Sequence, residues 1–284
     1  MKAMASIDGN VTPLAEAKVS ALDRGFLFGD SVYEVIRVYR GKPWLMSDHL
    51  DRLGRSLDAI RIQGIDIDRL RQRIEGMIGQ HSFGEAIIYI QITRGAAPRA
   101  HKFPAGVAPL EFFYVQDFKD PYVEARQTGV GVVTHPELRW GRCDIKSTNL
   151  LGNVLAMQTA IDANCAEALF VHADGTILEG THTSCFGVLN GTLLTFPSGP
   201  AILPGITRSL VLRLARRAQI PVQEHVLKMS DLARVTELFL TGTTSEIMPI
   251  VKVDGKAIAD GQPGTVTRRL QEAYAHEVED HLGA

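Results

Sequence analysis

Lys146 lies in Arg142-Cys143-Asp144-Ile145-Lys146-Ser147-Thr148-Asn149-Leu150-Leu151-Gly152, directly before an apolar, helix-forming run. An amine flanked by Ile145 and the Leu150-Leu151 pair can be partly desolvated, and a desolvated amine loses and regains its proton near neutral pH. A lysine that carries an aldehyde cofactor as a Schiff base needs that property. Glu179 stands between the apolar segment ending at Leu178 and the turn Gly180-Thr181-His182-Thr183, a setting from which a carboxylate can face a cavity. There it can keep a pyridine nitrogen protonated, so that the ring accepts electrons released at a substrate carbon. A phosphate needs fixed donors. Arg52 can offer a forked guanidinium, Gly205-Ile206-Thr207 opens a helix whose free amides attract anions, and Thr243 and Thr244 add hydroxyls in a glycine-containing turn. Taken singly, these residues also read as a surface lysine, a turn carboxylate, a salt bridge and a helix cap. Together they suggest pyridoxal 5'-phosphate (PLP).

Other chemistries fit less well. Gly129-Val130-Gly131 lacks the third glycine and following helix of a dinucleotide fingerprint. His276 and His281 are five residues apart, which rotates the second imidazole off the helix face that a zinc-binding pair must share. Thr241-Gly242-Thr243-Thr244 has no lysine to complete a nucleotide-phosphate loop, and the chain contains no Gly-x-Ser-x-Gly elbow. No metal site is expected. Lys and Arg total 30 against 32 Asp and Glu, a net charge of -2, so neither nucleic acid nor an acidic membrane surface is an expected partner. Apolar runs are too short for a membrane span, no leader pattern opens the chain, and Cys143, Cys165 and Cys185 show no zinc or redox spacing. A cytoplasmic protein with reduced thiols is expected.

The elements that must position these residues divide into two sets. Ser31–Tyr39 is strand-like; Arg40-Gly41-Lys42-Pro43 reads as the turn of a hairpin that returns through Trp44-Leu45-Met46. A helix capped by Ser47 or Asp48 follows, with Leu50, Leu53, Leu57 and Ile60 on one face, and a second helix runs over 67–78. Strands are expected at 86–93 and 110–116. Asp117-Phe118-Lys119-Asp120-Pro121 interrupts the pattern, giving an α+β domain over 1–118, a linker over 119–124 and a larger domain over 125–284, with the cofactor expected at their interface. The larger part shows strands at 129–134, 168–172, 185–189, 192–196 and 237–241, with Asp-Gly, Glu-Gly and Asn-Gly turns between them. Helices are expected at 150–164 (amphipathic), 206–219 and 266–281. With 45% hydrophobic residues the chain can fill two cores. The fold class expected is α/β of the α+β type: a small α+β domain and a β-barrel-like domain edged by helices.

From Leu22-Asp23-Arg24-Gly25-Phe26-Leu27-Phe28-Gly29-Asp30 to the final helix, the chain resembles the fold type IV (class IV) PLP-dependent aminotransferases, most of all the bacterial D-amino acid aminotransferases. The likeness rests on Asp144-Ile145-Lys146-Ser147 with Asn149-Leu150-Leu151-Gly152, on Leu178-Glu179-Gly180, on Gly205-Ile206-Thr207-Arg208 and on Thr243-Thr244-Ser245-Glu246-Ile247. It implies that Lys146 is the Schiff-base lysine, Glu179 the partner of the pyridine nitrogen, and Arg52, Ile206, Thr207, Thr243 and Thr244 the phosphate-binding positions. Pro98-Arg99-Ala100-His101 matches the subgroup in which Arg99 and His101 reach across a dimer interface and, with Tyr33, hold the substrate α-carboxylate. The resemblance thus implies a homodimer acting by ping-pong kinetics on small amino acids and 2-oxo acids of the D-alanine/2-oxoglutarate type. His182 stands where the D-specific enzymes usually carry serine, and Ser184 where the family usually has asparagine. Within the fold, branched-chain L-amino acid aminotransferase and (R)-amine transaminase are the alternatives sharing this chemistry; aminodeoxychorismate lyase, which has the same fold but eliminates pyruvate, is the alternative from a different reaction class.

Overall fold

The computed structural model describes residues 2–283. Two compact units emerge: the chain to Lys119 together with Ile145–Asn149, and Asp120–Asp144 together with the chain from Leu150. The segment carrying Lys146 therefore returns to the first unit after the chain has left it.

The first unit is a six-stranded antiparallel sheet with two helices on one face. Its elements are β1 (Ala3–Ile7), β2 (Asn10–Pro13), α1 (Arg24–Phe28), β3 (Ser31–Tyr39), β4 (Lys42–Pro43), α2 (Met46–Ala59), α3 (Ile67–Gln80), β5 (Ala86–Thr93) and β6 (Leu110–Asp117). The sheet order is β2-β1-β6-β5-β3-β4. Alternation along β3 and β5 sends Val32, Ile36 and Val38 inward opposite Ile92, Ile88 and Ala86, where Leu50, Leu53, Leu57, Leu70 and Ile74 meet them. The register also puts Glu34 in that inward column, opposite Ile90. The hairpin is shorter than the sequence suggests. Its turn is Arg40-Gly41, both at positive φ, and the returning strand is only Lys42–Pro43. Trp44-Leu45-Met46 instead leads into α2, with Leu45 in the left-handed region as N-cap. Ser47 and Asp48 lie inside the first turn, and no side chain caps it.

The second unit contains α4 (Val123–Thr128), β7 (Val130–Pro136), α5 (Leu151–Asp162), β8 (Glu167–Val171), β9 (Thr176–Gly180), β10 (Ser184–Leu189), β11 (Thr192–Thr195), α6 (Ile206–Arg217), β12 (Val222–Glu224), β13 (Leu227–Lys228), β14 (Glu237–Gly242), β15 (Glu246–Val253), β16 (Lys256–Ala257) and α7 (Thr265–Leu282). Strands β10, β14, β15, β7, β8 and β9 follow one another, and a bridge between Glu179 and Ser184 joins β9 back to β10, closing a barrel. Leu169, Ile177, Leu194, Leu238, Leu240 and Ile250 fill it. Asp174-Gly175 and Asn190-Gly191 make the expected turns, the second with both residues at positive φ as a tight hairpin requires. Glu179-Gly180 does not turn; it ends β9, and the bend comes at 181–183. α5 is not amphipathic in the expected sense. It buries Ala156 and Ala160, while Leu151, Val154, Leu155 and Ile161 are exposed. Among the described residues, no helix is long and apolar enough to cross a membrane, and no cluster of three His, Cys, Asp or Glu side chains is arranged to hold a metal.

Candidate active site

In the first unit β3 fixes the backbone around Lys146. The Tyr33 amide donates to the Lys146 carbonyl (3.0 Å), Val32 and Ser147 form a bridge, and the Ser31 and Thr148 hydroxyls are 2.5 Å apart. Asn149 donates to the carbonyl of Gly29 (3.1 Å), whose φ is 64° and whose missing Cβ would fall 2.6 Å from the Asn149 Oδ1. Only glycine fits that close approach. Lys146 Nζ stands 4.3 Å above the Tyr33 ring, a cation–π contact that holds it over a phenol rather than in bulk water. Ile145 supplies the apolar support expected of it, being buried in the core. The Leu150-Leu151 pair does not: Leu151 is 72% exposed. Tyr33 lies on the sheet face away from the core and stacks on Tyr89 (5.8 Å), which stacks on Tyr114 (5.2 Å).

Arg52 projects from α2 onto Glu34. Its Nε and Nη2 each donate to one carboxylate oxygen at 2.7 Å, and His49 Nδ1 lies 2.7 Å from Oε2. All three residues are buried. Burial drives the Glu34 carboxyl upward, but the charge and hydrogen bonds of Arg52 and the hydrogen bond of His49 prevail and hold it at about 2. Burial lowers the His49 imidazole, and Arg52 and Lys146 add to that against the pull of Glu34. His49 is thus neutral, with Nδ1–H donating to an ionised Glu34. Glu34 and His49 carry no motif in the sequence, although a carboxylate in register with Val32, Ile36 and Val38 is a signal in itself.

Arg99 and His101 are exposed and share one support, the Phe28 ring, at 5.1 Å and 5.6 Å. The loop between them is anchored where Arg24, buried and paired with Asp30 (2.8 Å), donates to the Ala100 carbonyl at 2.6 Å. Tyr33 makes its contacts elsewhere, with Tyr89 and Lys146.

In the second unit Glu179 is buried at the end of β9. Arg139 Nη1 donates to its Oε1 (2.6 Å) and the Leu203 amide to its Oε2 (3.1 Å). Arg139 also holds Glu137 (2.5 Å) and lies 4.0 Å over Phe170. Burial pushes the Glu179 carboxyl up to about 7 against the opposing pull of Arg139 and the Leu203 amide, and the nearby charge of Glu137 adds to the rise. The adjoining bend is held by a second buried carboxylate. Glu167 accepts from the Thr181 amide (3.1 Å) and hydroxyl (2.5 Å) and from the Thr183 hydroxyl (3.0 Å), and lies 3.1 Å from His182 Nδ1. Neither Arg139 nor Glu167 stands out in the sequence, since each meets its partners through the folded barrel.

The anion-binding elements gather against this bend. Gly205 caps α6 without a side-chain hydrogen bond, leaving the amides of the buried Ile206 and Thr207 at the positive end of a 12-residue helix. A Cβ on Gly205 would fall 2.6 Å from Ser184 Oγ; one on Gly242 would fall 2.6 Å from Ser245 Oγ and 3.3 Å from Thr183 Cγ2. Both glycines therefore let backbone approach the bend. Thr243 and Thr244 sit half-buried in the turn between β14 and β15. Beside them the hydroxyls of Thr241 and Ser245 are buried with no hydrogen-bond partner among the described residues. Unpartnered buried hydroxyls cost free energy unless a ligand engages them. An uncapped helix end with these hydroxyls is a fitting cradle for a phosphate dianion. Glu179 is one barrel bridge from Ser184, so a buried carboxylate lies in the same part of this unit.

A model of the family described as amino-transferase class IV matches residues 31–253. A D-alanine aminotransferase of Staphylococcus epidermidis is 39% identical over 277 residues, which is 97% of this chain and 98% of that protein. Among solved structures, the branched-chain amino acid aminotransferase of Escherichia coli superposes with a TM-score of 0.90 at 28% identity, covering 97% of this chain and 94% of the other. The branched-chain aminotransferase of the archaeon Thermoproteus uzoniensis, solved with norvaline, gives 0.86 at 26% identity, covering 96% and 93%.

Proposed function

The chain belongs to the class IV aminotransferase family, and from that premise we propose that it moves the amino group of a D-amino acid onto a 2-oxo acid. It is a PLP-dependent enzyme. The cofactor, when bound, supplies an electron sink for the bond broken at the substrate α-carbon. The protein's own residues do the rest. Lys146 Nζ would hold the cofactor through its aldehyde and, as a free amine, would take the proton from the substrate Cα and return it to the carbon that receives the amino group. Glu179 keeps a proton on the ring nitrogen, with Arg139 fixing its direction. The amides of Ile206 and Thr207, the side chains of Thr243 and Thr244, and Arg52 bind the phosphate.

The observation that carries this reading is the co-location in one unit of a clamped, buried Glu179, an uncapped α6 and two unpartnered hydroxyls, all against a single bend. Identity of 39% to a D-alanine aminotransferase, against 28% for the branched-chain enzyme with a TM-score of 0.90, favours D-amino acids as donors. The holoenzyme is tested with D- and L-amino acids separately. Conversion of its visible absorption to the pyridoxamine form by the D set is the expected result; conversion by L-leucine and L-valine instead would establish the branched-chain reading.

Arg99, His101 and Tyr33 bind the substrate α-carboxylate in this proposal. A guanidinium–carboxylate pair is worth roughly 1.5–3 kcal/mol, so Arg99→Ala should raise KM for D-alanine roughly tenfold to a hundredfold with a smaller fall in kcat. An unchanged KM would remove Arg99 from the site.

The enzyme is further proposed to be a homodimer, because Arg99 and His101 are exposed in one chain and Tyr33 makes its contacts apart from them. A second copy is assigned to the outer face of α5, where Leu151, Val154, Leu155 and Ile161 recur at helical spacing and are 54–72% exposed, with Trp140 exposed in the same unit. Leu151→Glu with Leu155→Glu should turn a dimer into a monomer in sedimentation and remove most activity. A double variant that remains dimeric would move the interface elsewhere.

A further inference from the structure

The Glu34–His49–Arg52 cluster is the most completely buried group of ionisable side chains in the first unit, with exposures of 0%, 1% and 3%. Its three members come from two elements. Glu34 lies in the inward column of β3, where every neighbour is aliphatic, and His49 and Arg52 lie one turn apart on the face of α2 that meets it. A carboxylate at such a place is costly unless it is ionised, paired and fully hydrogen-bonded, and here all three conditions hold. Arg52 occupies both oxygens through Nε and Nη2, and His49 adds a donor to Oε2. With a neutral imidazole the cluster carries one positive and one negative charge, so it stands in the core without a net charge.

We infer that Glu34 and His49 are positioning residues that aim the Arg52 guanidinium at the cofactor phosphate. The inference rests on the proposed phosphate-binding role of Arg52 and adds two residues that the sequence motifs do not mark. Its physical content is geometric. Two bonds to one carboxylate fix the plane of a guanidinium, which a single bond leaves free to rotate. His49 fixes the carboxylate in turn, as an outer donor orients a ligand-bearing group in a metal site. A bulky core residue could fill the same space. It would leave Arg52 buried without a counter-charge and with several orientations open to it.

The test uses apoprotein titrated with PLP, read by absorbance and by the 31P resonance of the bound phosphate. Glu34→Gln keeps the shape of the side chain but puts an amide against the guanidinium, and should weaken PLP binding about tenfold to a hundredfold and shift or broaden the 31P signal. In the Arg52→Met background the same change should add nothing, because Glu34 acts through Arg52. His49→Asn, whose amide can replace the Nδ1 donor, should bind PLP within about threefold of wild type, while His49→Leu should lose about tenfold. If Glu34→Gln does not fold, the Asn and Leu variants at 49 decide the matter by the same readouts. Wild-type affinity and 31P shift in Glu34→Gln or His49→Leu would overturn the inference, as would an equal loss with and without Arg52. A wild-type apoprotein that takes up no PLP would instead overturn the functional reading beneath it.

Discussion

Lys146→Ala should lose transamination by at least about 10⁴-fold, since in the proposed mechanism Lys146 is both the covalent attachment point and the base that moves the α-proton. The size of the effect follows from the placement of the amine. The Lys146 carbonyl is held by the Tyr33 amide, Ser147 is bridged to Val32, and Nζ lies 4.3 Å over the Tyr33 ring, so the amine is fixed at one place that an alanine leaves empty. Borohydride reduction followed by proteolysis should place a phosphopyridoxyl mass on the wild-type peptide containing residue 146 and nowhere on the variant. PLP should still bind Lys146→Ala, because the phosphate and ring-nitrogen contacts belong to other residues. Small primary amines added to the solution should restore a little activity. A variant that turns over at wild-type rates, or that still traps the cofactor at another lysine, would show that the amine at 146 is not the reacting group.

The sequence carries the residues proposed to touch ligand more plainly than those that hold them. Lys146, Glu179 and the Gly205-Ile206-Thr207 run are legible because each is local: a residue type, its immediate neighbours and the start of a helix. Their supports are not local. Arg139 reaches Glu179 across 40 positions, and Glu34 meets His49 and Arg52 only once β3 lies beneath α2. Strands rich in Val, Ile and Tyr, such as β3 and β5, follow from composition alone. β15, over Glu246–Val253, does not, because Pro249 argues against an inner strand and only its pairing with β14 and β7 accommodates it. α5 illustrates the opposite error. Apolar residues at helical spacing predict a face turned to a core, but the small Ala156 and Ala160 pack inward and the large side chains point out. A periodic pattern shows that a face is apolar, not whether the same chain or another covers it.

Glu179→Gln should reduce kcat by roughly 10²- to 10³-fold with little change in KM, because a neutral amide no longer holds a proton on the ring nitrogen and the electron sink weakens. Arg139 would keep one partner in Glu137, so the variant should fold. The same substitution has a signature in the apoprotein that activity does not share. Folding raises the Glu179 carboxyl from about 4.5 to about 7, burial being the largest cause, so between those values the folded chain binds more protons than the unfolded one. Stability from this group is therefore greatest below pH 4.5 and falls as pH rises through 7, on the order of 3–4 kcal/mol in all. Urea midpoints of the wild-type apoprotein should decline from about pH 5 to about pH 7 relative to those of Glu179→Gln. Saturating PLP should flatten that decline, since a protonated ring nitrogen favours the ionised carboxylate. Parallel pH profiles for the two apoproteins would mean that Arg139 keeps Glu179 charged throughout, and that the acid enters the reaction already ionised.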